Sequence, residues 1–195
     1  MSAIPIAPAA EPWRLPSRGR VAMLALITGE SAIFTIFIVA YIFYIGKSLT
    51  RPTPQILEIP WFNTICLLSS SVTILLAERK IERGKMRGFA AWWALTIALG
   101  AIFIAGTGIE WQKLIYVGGL TIRTNLFGTT FYSLVGLHAT HVVVGLIGLS
   151  LILVFTLTGH VKQQHSERIQ VFALYWHFVD AVWVVVFTVV YIVGR

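Results

Sequence analysis

Three histidines and three acids stand where the sequence has almost no other charge. His138 and His141 lie three residues apart inside a long apolar run, and His177 lies in another such run, three residues before Asp180. Glu30 sits about ten residues into a further run, flanked by Thr28, Gly29 and Ser31, and Glu110 follows a fourth, beside Trp111. Imidazoles in such places ligate haem, or hydrogen-bond between helices as buried polar groups must. A bis-histidine haem needs ligands on opposite sides, and residues three apart share one helix face. His177 would therefore have to oppose His138 or His141. Asp180 reads as a packing acid, bonded to an indole or a hydroxyl. Glu30 has two readings: an acid tied to a neighbouring helix, or a group that exchanges protons or meets a lipid headgroup. Ionising it about 15 Å along its helix is costly unless a cation or water reaches it.

The runs that carry these residues are membrane spans. Of the 195 residues, 57% are hydrophobic and 12% charged, against about 25% charged in a soluble domain. The mean hydropathy is +0.81. Five apolar stretches, at about 21–45, 61–77, 88–109, 126–156 and 169–193, are each long enough to cross a hydrocarbon core of ~30 Å. The fourth, at ~46 Å, must tilt or protrude. Their uniform apolarity excludes a β-barrel, whose strands alternate over about ten residues. The predicted fold is all-α: an integral membrane bundle of five helices over 20–195, preceded by a surface tail over 1–19. That tail is rich in proline and small residues and lacks the layout of a signal peptide.

The net charge of +7 does not indicate nucleic acid, because the basic residues stand in short connections between spans. Arg14, Arg18, Arg20, Arg79, Lys80, Arg83, Lys85, Arg87, Lys162 and Arg168 fall on one side, and Lys47, Arg51, Lys113, Arg123 and Arg195 on the other. The richer side is expected inside, which places the N-terminus inside and the C-terminus outside. Cys66 stands alone, so no internal disulfide and no cysteine-rich metal site is expected. Trp13, Trp61 and Trp111 fall at span ends and read as interfacial anchors.

Several segments together carry a family resemblance. Tyr175-Trp176-His177-Phe178-Val179-Asp180-Ala181-Val182-Trp183 resembles the signature of subunit III of haem-copper respiratory oxidases, shared by cytochrome c and quinol oxidases. Gly136-Leu137-His138-Ala139-Thr140-His141-Val142-Val143-Val144-Gly145 is similar to the paired-histidine segment of that family, and Gly29-Glu30-Ser31-Ala32-Ile33-Phe34 to its glutamate-bearing helix. Glu58-Ile59-Pro60-Trp61-Phe62-Asn63-Thr64 and Leu67-Leu68-Ser69-Ser70-Ser71-Val72-Thr73 fit the next helix, and Glu110 matches the acid closing the third. Glu78-Arg79 departs from the neutral or histidine residues that many members carry there.

The resemblance is to the five-helix form of the family and implies an accessory subunit of an oxygen-reducing, proton-pumping oxidase. It implies no catalytic residue and no metal ligand in this chain, the haem and copper lying in partner subunits. The implied partners are subunit I, which holds those groups, subunit II, other small membrane subunits and membrane lipids, with no nucleic acid. A structural phospholipid is expected in a V-shaped cleft, with Arg79, Lys162 and Arg168 as headgroup contacts. Glu30, Glu110, His138, His141, His177 and Asp180 are the polar residues expected to serve structure or proton supply. A bacterial inner membrane is the expected location. Cytochrome c is the expected electron donor, with a quinol oxidase or an accessory protein of a nitric-oxide reductase as alternatives. A stand-alone b-type haem carrier, and a proton-coupled transporter using Glu30 and Asp180, are the competing readings from other classes.

Overall fold

The computed structural model describes residues 17–45, 47 and 52–194. The tail expected over 1–19 lies outside the described residues as far as position 16, as do Trp13, Arg14, Arg51 and Arg195. Five long helices make up the described chain: α1 Arg18–Tyr44, α2 Trp61–Glu82, α3 Met86–Tyr116, α4 Leu126–Leu157 and α5 Ser166–Phe187. A π-helical segment, Thr188–Val193, continues α5, and short 3-10 turns occupy Pro54–Ile56 and Gln163–His165. All five helices are long and apolar enough to cross a membrane. In hydrocarbon each backbone N–H and C=O must find its partner within the chain, and a helix supplies those bonds internally.

Helix ends differ from the apolar spans in an instructive way. α2 continues through Glu78-Arg79-Lys80-Ile81-Glu82 and stops at Gly84, whose φ of 68° breaks the helical repeat. Charge therefore ends the apolar span, whereas backbone conformation ends the helix. α3 likewise runs past Glu110 and Lys113 to Tyr116, and Gly119 follows with φ 64°. At the start of α4, Asn125 accepts a bond from the Gly128 amide at 2.8 Å, a side-chain cap on an otherwise unpaired N–H.

α2, α3, α4 and α5 close a square in which each packs on its two neighbours, and α1 packs from outside on α4 and α5. The core follows that plan. Trp93, Trp176, Trp183, Phe89, Phe103 and Phe131 are fully buried within the square. On α1 the buried residues are Phe34 and Tyr41, while Leu24, Ile36, Val39 and Phe43 face outward. Glycine makes the close approaches possible. A Cβ on Gly100 of α3 or Gly145 of α4 would come 2.8 and 2.9 Å from the Trp176 ring. These two glycines form the slot that admits the indole of α5. Trp111, expected at the membrane interface, also packs within the bundle. Its ring packs edge-on against Tyr132 of α4 at 5.3 Å.

Candidate functional site

The hydrogen-bonded acids and imidazoles of the bundle sort onto three helix seams, beside a hydroxyl pair, Thr73 and Thr96, that joins α2 to α3 at 2.7 Å. On the first, between α1 and α4, Glu30 Oε2 lies 3.1 Å from His141 Nε2. The other ring nitrogen, Nδ1, is 2.8 Å from the Leu137 carbonyl. A carbonyl only accepts, so Nδ1 carries hydrogen. One further proton is then shared between Nε2 and Glu30: it either rests on the acid, which donates to the ring, or completes an imidazolium that donates to the carboxylate. The two side chains are 13% and 24% exposed, so the pair stands at the rim of the seam. Tyr175 O–H donates to the His141 carbonyl at 3.2 Å, and the Phe34 ring lies 5.0 Å from that of His141.

The second seam joins α2 to α5. Ser71 Oγ lies 3.1 Å from His177 Nδ1 and also donates to Asp180 Oδ2. From the adjacent residues, Trp176 Nε1–H donates to Ser70 Oγ at 2.8 Å, and farther along the seam Trp183 Nε1–H donates to Thr64 Oγ1 at 3.2 Å. Toward the basic end of the bundle, Gln170 Nε2–H donates to Glu82 Oε1 at 2.6 Å, and Arg20 of α1 donates to Gln170 Oε1 at 3.1 Å. Gln163 donates to the Glu82 carbonyl at 2.7 Å.

The third seam lies at the opposite end. There Tyr191, carried by the π-helical segment, donates to Glu110 Oε1 at 2.9 Å. Lys113 and Glu58 form an exposed ion pair at 3.5 Å, and a cavity of about 370 Å³ opens beside Glu58, Glu110 and Lys113.

The three imidazoles thus occupy separate environments. His138 and His141 share a helix, but His141 turns toward Glu30 while His138 is wholly buried and stacks on Trp183, centroids 4.9 Å apart. Phe103 meets the His138 ring edge-on at 6.0 Å. His177 belongs to the α2 seam. Among the described residues no three His, Cys, Asp or Glu side chains gather as a metal would require. Arg79, Lys162 and Arg168 are exposed. Arg168 lines a cavity of about 450 Å³ with Arg18 and Glu167, where the first turn of α1 meets α5.

Ser71, Tyr175 and Tyr191 did not stand out in sequence as members of these clusters. The run Ser69-Ser70-Ser71 read as small residues allowing close helix approach. A spacing of seven was the available signal. Thr64, Ser71 and Glu78 recur at that interval on α2, and Gln163, Gln170 and His177 do so from the turn before α5. Two turns of helix return a residue to nearly the same face, so each set is a polar stripe, and the stripes face each other.

Comparison with known proteins agrees with this architecture. A family model described as cytochrome c oxidase subunit III matches residues 20–195. A cytochrome c oxidase subunit 3 from Thermostichus vulcanus is 34% identical over 177 residues, covering 89% of this chain and 86% of the relative. One from Synechocystis sp. is 36% identical over 175 residues, covering 87% and 73%. One from Alkalihalophilus pseudofirmus is 31% identical over 169 residues, covering 85% and 82%.

Proposed function

Since the chain belongs to the cytochrome c oxidase subunit III family, we propose that it serves as an accessory membrane subunit of a haem-copper terminal oxidase whose donor is cytochrome c. In this reading it binds subunits I and II, leaves the redox metals to its partners, holds phospholipid, and supports proton supply to the catalytic subunit. The observation that carries it is the family match over residues 20–195, together with the separate surroundings of the three imidazoles. His141 is engaged by Glu30 and by Leu137, and His177 by Ser71, while His138 is enclosed by aromatic rings. Such contacts suit a subunit that supports chemistry elsewhere. The test is purification through a tag on this chain. The expected product is a complex with a larger partner bearing haem and copper, while the chain separated from it shows no haem absorbance. Haem retained by the isolated chain would overturn the reading.

Lipid would lie along α5, which has α1 on one side and α2 on another. Arg18 and Arg168, at the mouth of the cavity between α1 and α5, would hold a headgroup phosphate. Arg79 and Lys162 stand at the same basic end, which this reading places inside the cell.

Glu30 and His141 are the groups through which proton support is most directly tested. In the Glu30→Ala variant of the complex, the metal content and visible spectrum are expected to stay unchanged, because neither residue touches a redox centre in this reading. Proton-linked turnover should fall modestly, or decay faster during sustained activity. Initial rate and time course, measured beside the unmodified complex, decide it. Loss of haem from the variant complex would contradict the accessory role, and an unaltered rate and lifetime would reduce the pair to a packing contact.

A further inference from the structure

Among the described residues, Ser71 is the hydroxyl that meets both an acid and an imidazole. Its Oγ bonds Asp180 Oδ2 and lies 3.1 Å from His177 Nδ1, and these two partners are three residues apart on α5. A hydroxyl has one proton to donate and lone pairs to accept with, so its bonds must run in one direction at a time. With Ser71 O–H donating to an Asp180 carboxylate, the hydroxyl accepts from His177 Nδ1–H. With the acid proton on Asp180 the direction reverses, Oδ2–H donating to Ser71 and Ser71 O–H to His177 Nδ1. When Asp180 gives that proton to Ser71 Oγ, Ser71 gives its own to Nδ1. One O–H bond breaks at Asp180, one N–H bond forms at His177, and the hydroxyl is restored with its direction reversed. The products are a carboxylate and an imidazolium, and no other reactant is needed.

The far side of each partner is open. Asp180 Oδ1 and His177 Nε2 are buried and have no hydrogen-bond partner, although Asp180 is only 3% exposed. Buried polar atoms are normally satisfied, by water where protein does not reach. Ser70 stands beside the same carboxyl, so His177 Nε2 and Asp180 Oδ1 are the two atoms at which a proton could be exchanged beyond the serines. Glu78 and Glu82 lie on the Ser71 stripe of α2, two and about three turns nearer the basic end. Gln170 is two turns before His177 on α5 and accepts from Arg20 while donating to Glu82. The basic end thus offers acids and amides at the mouth of the same seam, two turns from Ser71 and His177.

We propose that Ser71 couples Asp180 and His177 into a proton relay within the membrane, supplied along the α2–α5 seam from the basic end of the bundle. This goes beyond membership of an oxidase, since it is a property of the chain's own helices. The titratable groups on the surrounding helices have other partners or other places. From α1, Glu30 engages His141 and Arg20 engages Gln170. From α2, Glu82 engages Gln170, and Glu78 stands two turns from Ser71. From α4, His138 stacks on Trp183, and on α5 itself Tyr175 bonds the His141 carbonyl.

The test is infrared spectroscopy of the full chain reconstituted in lipid vesicles with labelled aspartate. Asp180 is the single aspartate of the sequence, so the labelled carboxyl band is its own and Asp180→Asn is expected to remove it. His177→Gln should shift that band, and the shift should vanish in a Ser71→Ala background but survive in Ser71→Thr, which keeps the hydroxyl. A double-mutant cycle of this kind isolates the coupling. On transfer to heavy water the band should exchange, and Glu78→Gln should slow that exchange several-fold. If Asp180→Asn fails to fold, the labelled band is still read in the other variants. A band that does not exchange, or that ignores His177 while Ser71 is present, would overturn the relay and leave a packing contact.

Discussion

Gly145→Leu is expected to abolish assembly of the five-helix bundle, seen as aggregate in place of a monodisperse peak when the detergent-extracted chain is chromatographed. A Cβ at this position would sit 2.9 Å from Cε3 and Cζ3 of Trp176, and one at Gly100 would sit 2.8 Å from Cη2 of the same ring. The indole is fully buried, and its Nε1–H is fixed by the 2.8 Å bond to Ser70, so it cannot retreat without leaving that hydrogen unpaired. Helices in lipid associate through close packing and interhelical bonds, with little hydrophobic drive between them. A lost approach is therefore not offset by burial elsewhere. Even Gly145→Ala should destabilise by about 1–3 kcal/mol, the usual range for overpacking a dense core, and lower the thermal midpoint followed by circular dichroism. Gly29→Ala is the matching control. A Cβ there meets nothing within 4 Å, and alanine favours the helix, so its midpoint should hold or rise. Equal midpoints for Gly145→Ala and Gly29→Ala would show that the Trp176 slot is not a constraint.

Trp183→Ala is expected to cost about 3 kcal/mol, the low end for truncating a buried aromatic side chain. The ring is 1% exposed. It meets Phe103 edge-on at 4.7 Å, stacks on His138 at 4.9 Å, and lies 6.3 Å from both Phe187 and Tyr191. Its Nε1–H bonds Thr64 across to α2. The low end applies because an unfolded helix in lipid already has apolar surroundings, so the loss is chiefly that of dispersion contacts around the cavity. Trp183→Phe keeps most of those contacts and should cost distinctly less. The comparison is made by unfolding in mixed micelles of increasing denaturing detergent. A cost for the alanine variant below about 1 kcal/mol would mean that the pocket collapses around the gap.

Polar residues within the spans were legible as contact points between helices, but their partners were not. The expectation that buried acids and imidazoles bond between helices named Glu30, His138, His141, His177 and Asp180. The structure finds such bonds for all but His138, whose two ring nitrogens are buried without a hydrogen-bond partner among aromatic rings. Asp180 was expected to meet an indole or a hydroxyl, and it meets the hydroxyl of Ser71. The serines themselves were read as spacers, because a small residue in a span serves packing or bonding equally well until its neighbour is known. Trp111 read as an anchor from its place at a span end. The structure adds a contact that its position could not name, an edge-on packing against Tyr132 of α4.

What the sequence determined by itself was local. Apolar runs of spanning length demand helices, because hydrocarbon leaves no other partner for the backbone, and polar side chains within those runs mark where the helices must meet. Gly84 and Gly119 are likewise in the sequence, whereas the positive φ with which they end α2 and follow α3 belongs to the fold. Which helix faces which was decided by the tertiary structure alone. Glu30 and His141 are separated by 111 residues, and Ser71 and Asp180 by 109. Spacing along one helix fixes the face a residue takes, but it carries no information about the helix opposite. That choice came from shape: glycine slots on α3 and α4 that admit one indole of α5, and the stripes of α2 and α5, whose polar atoms satisfy each other only when those two helices lie side by side.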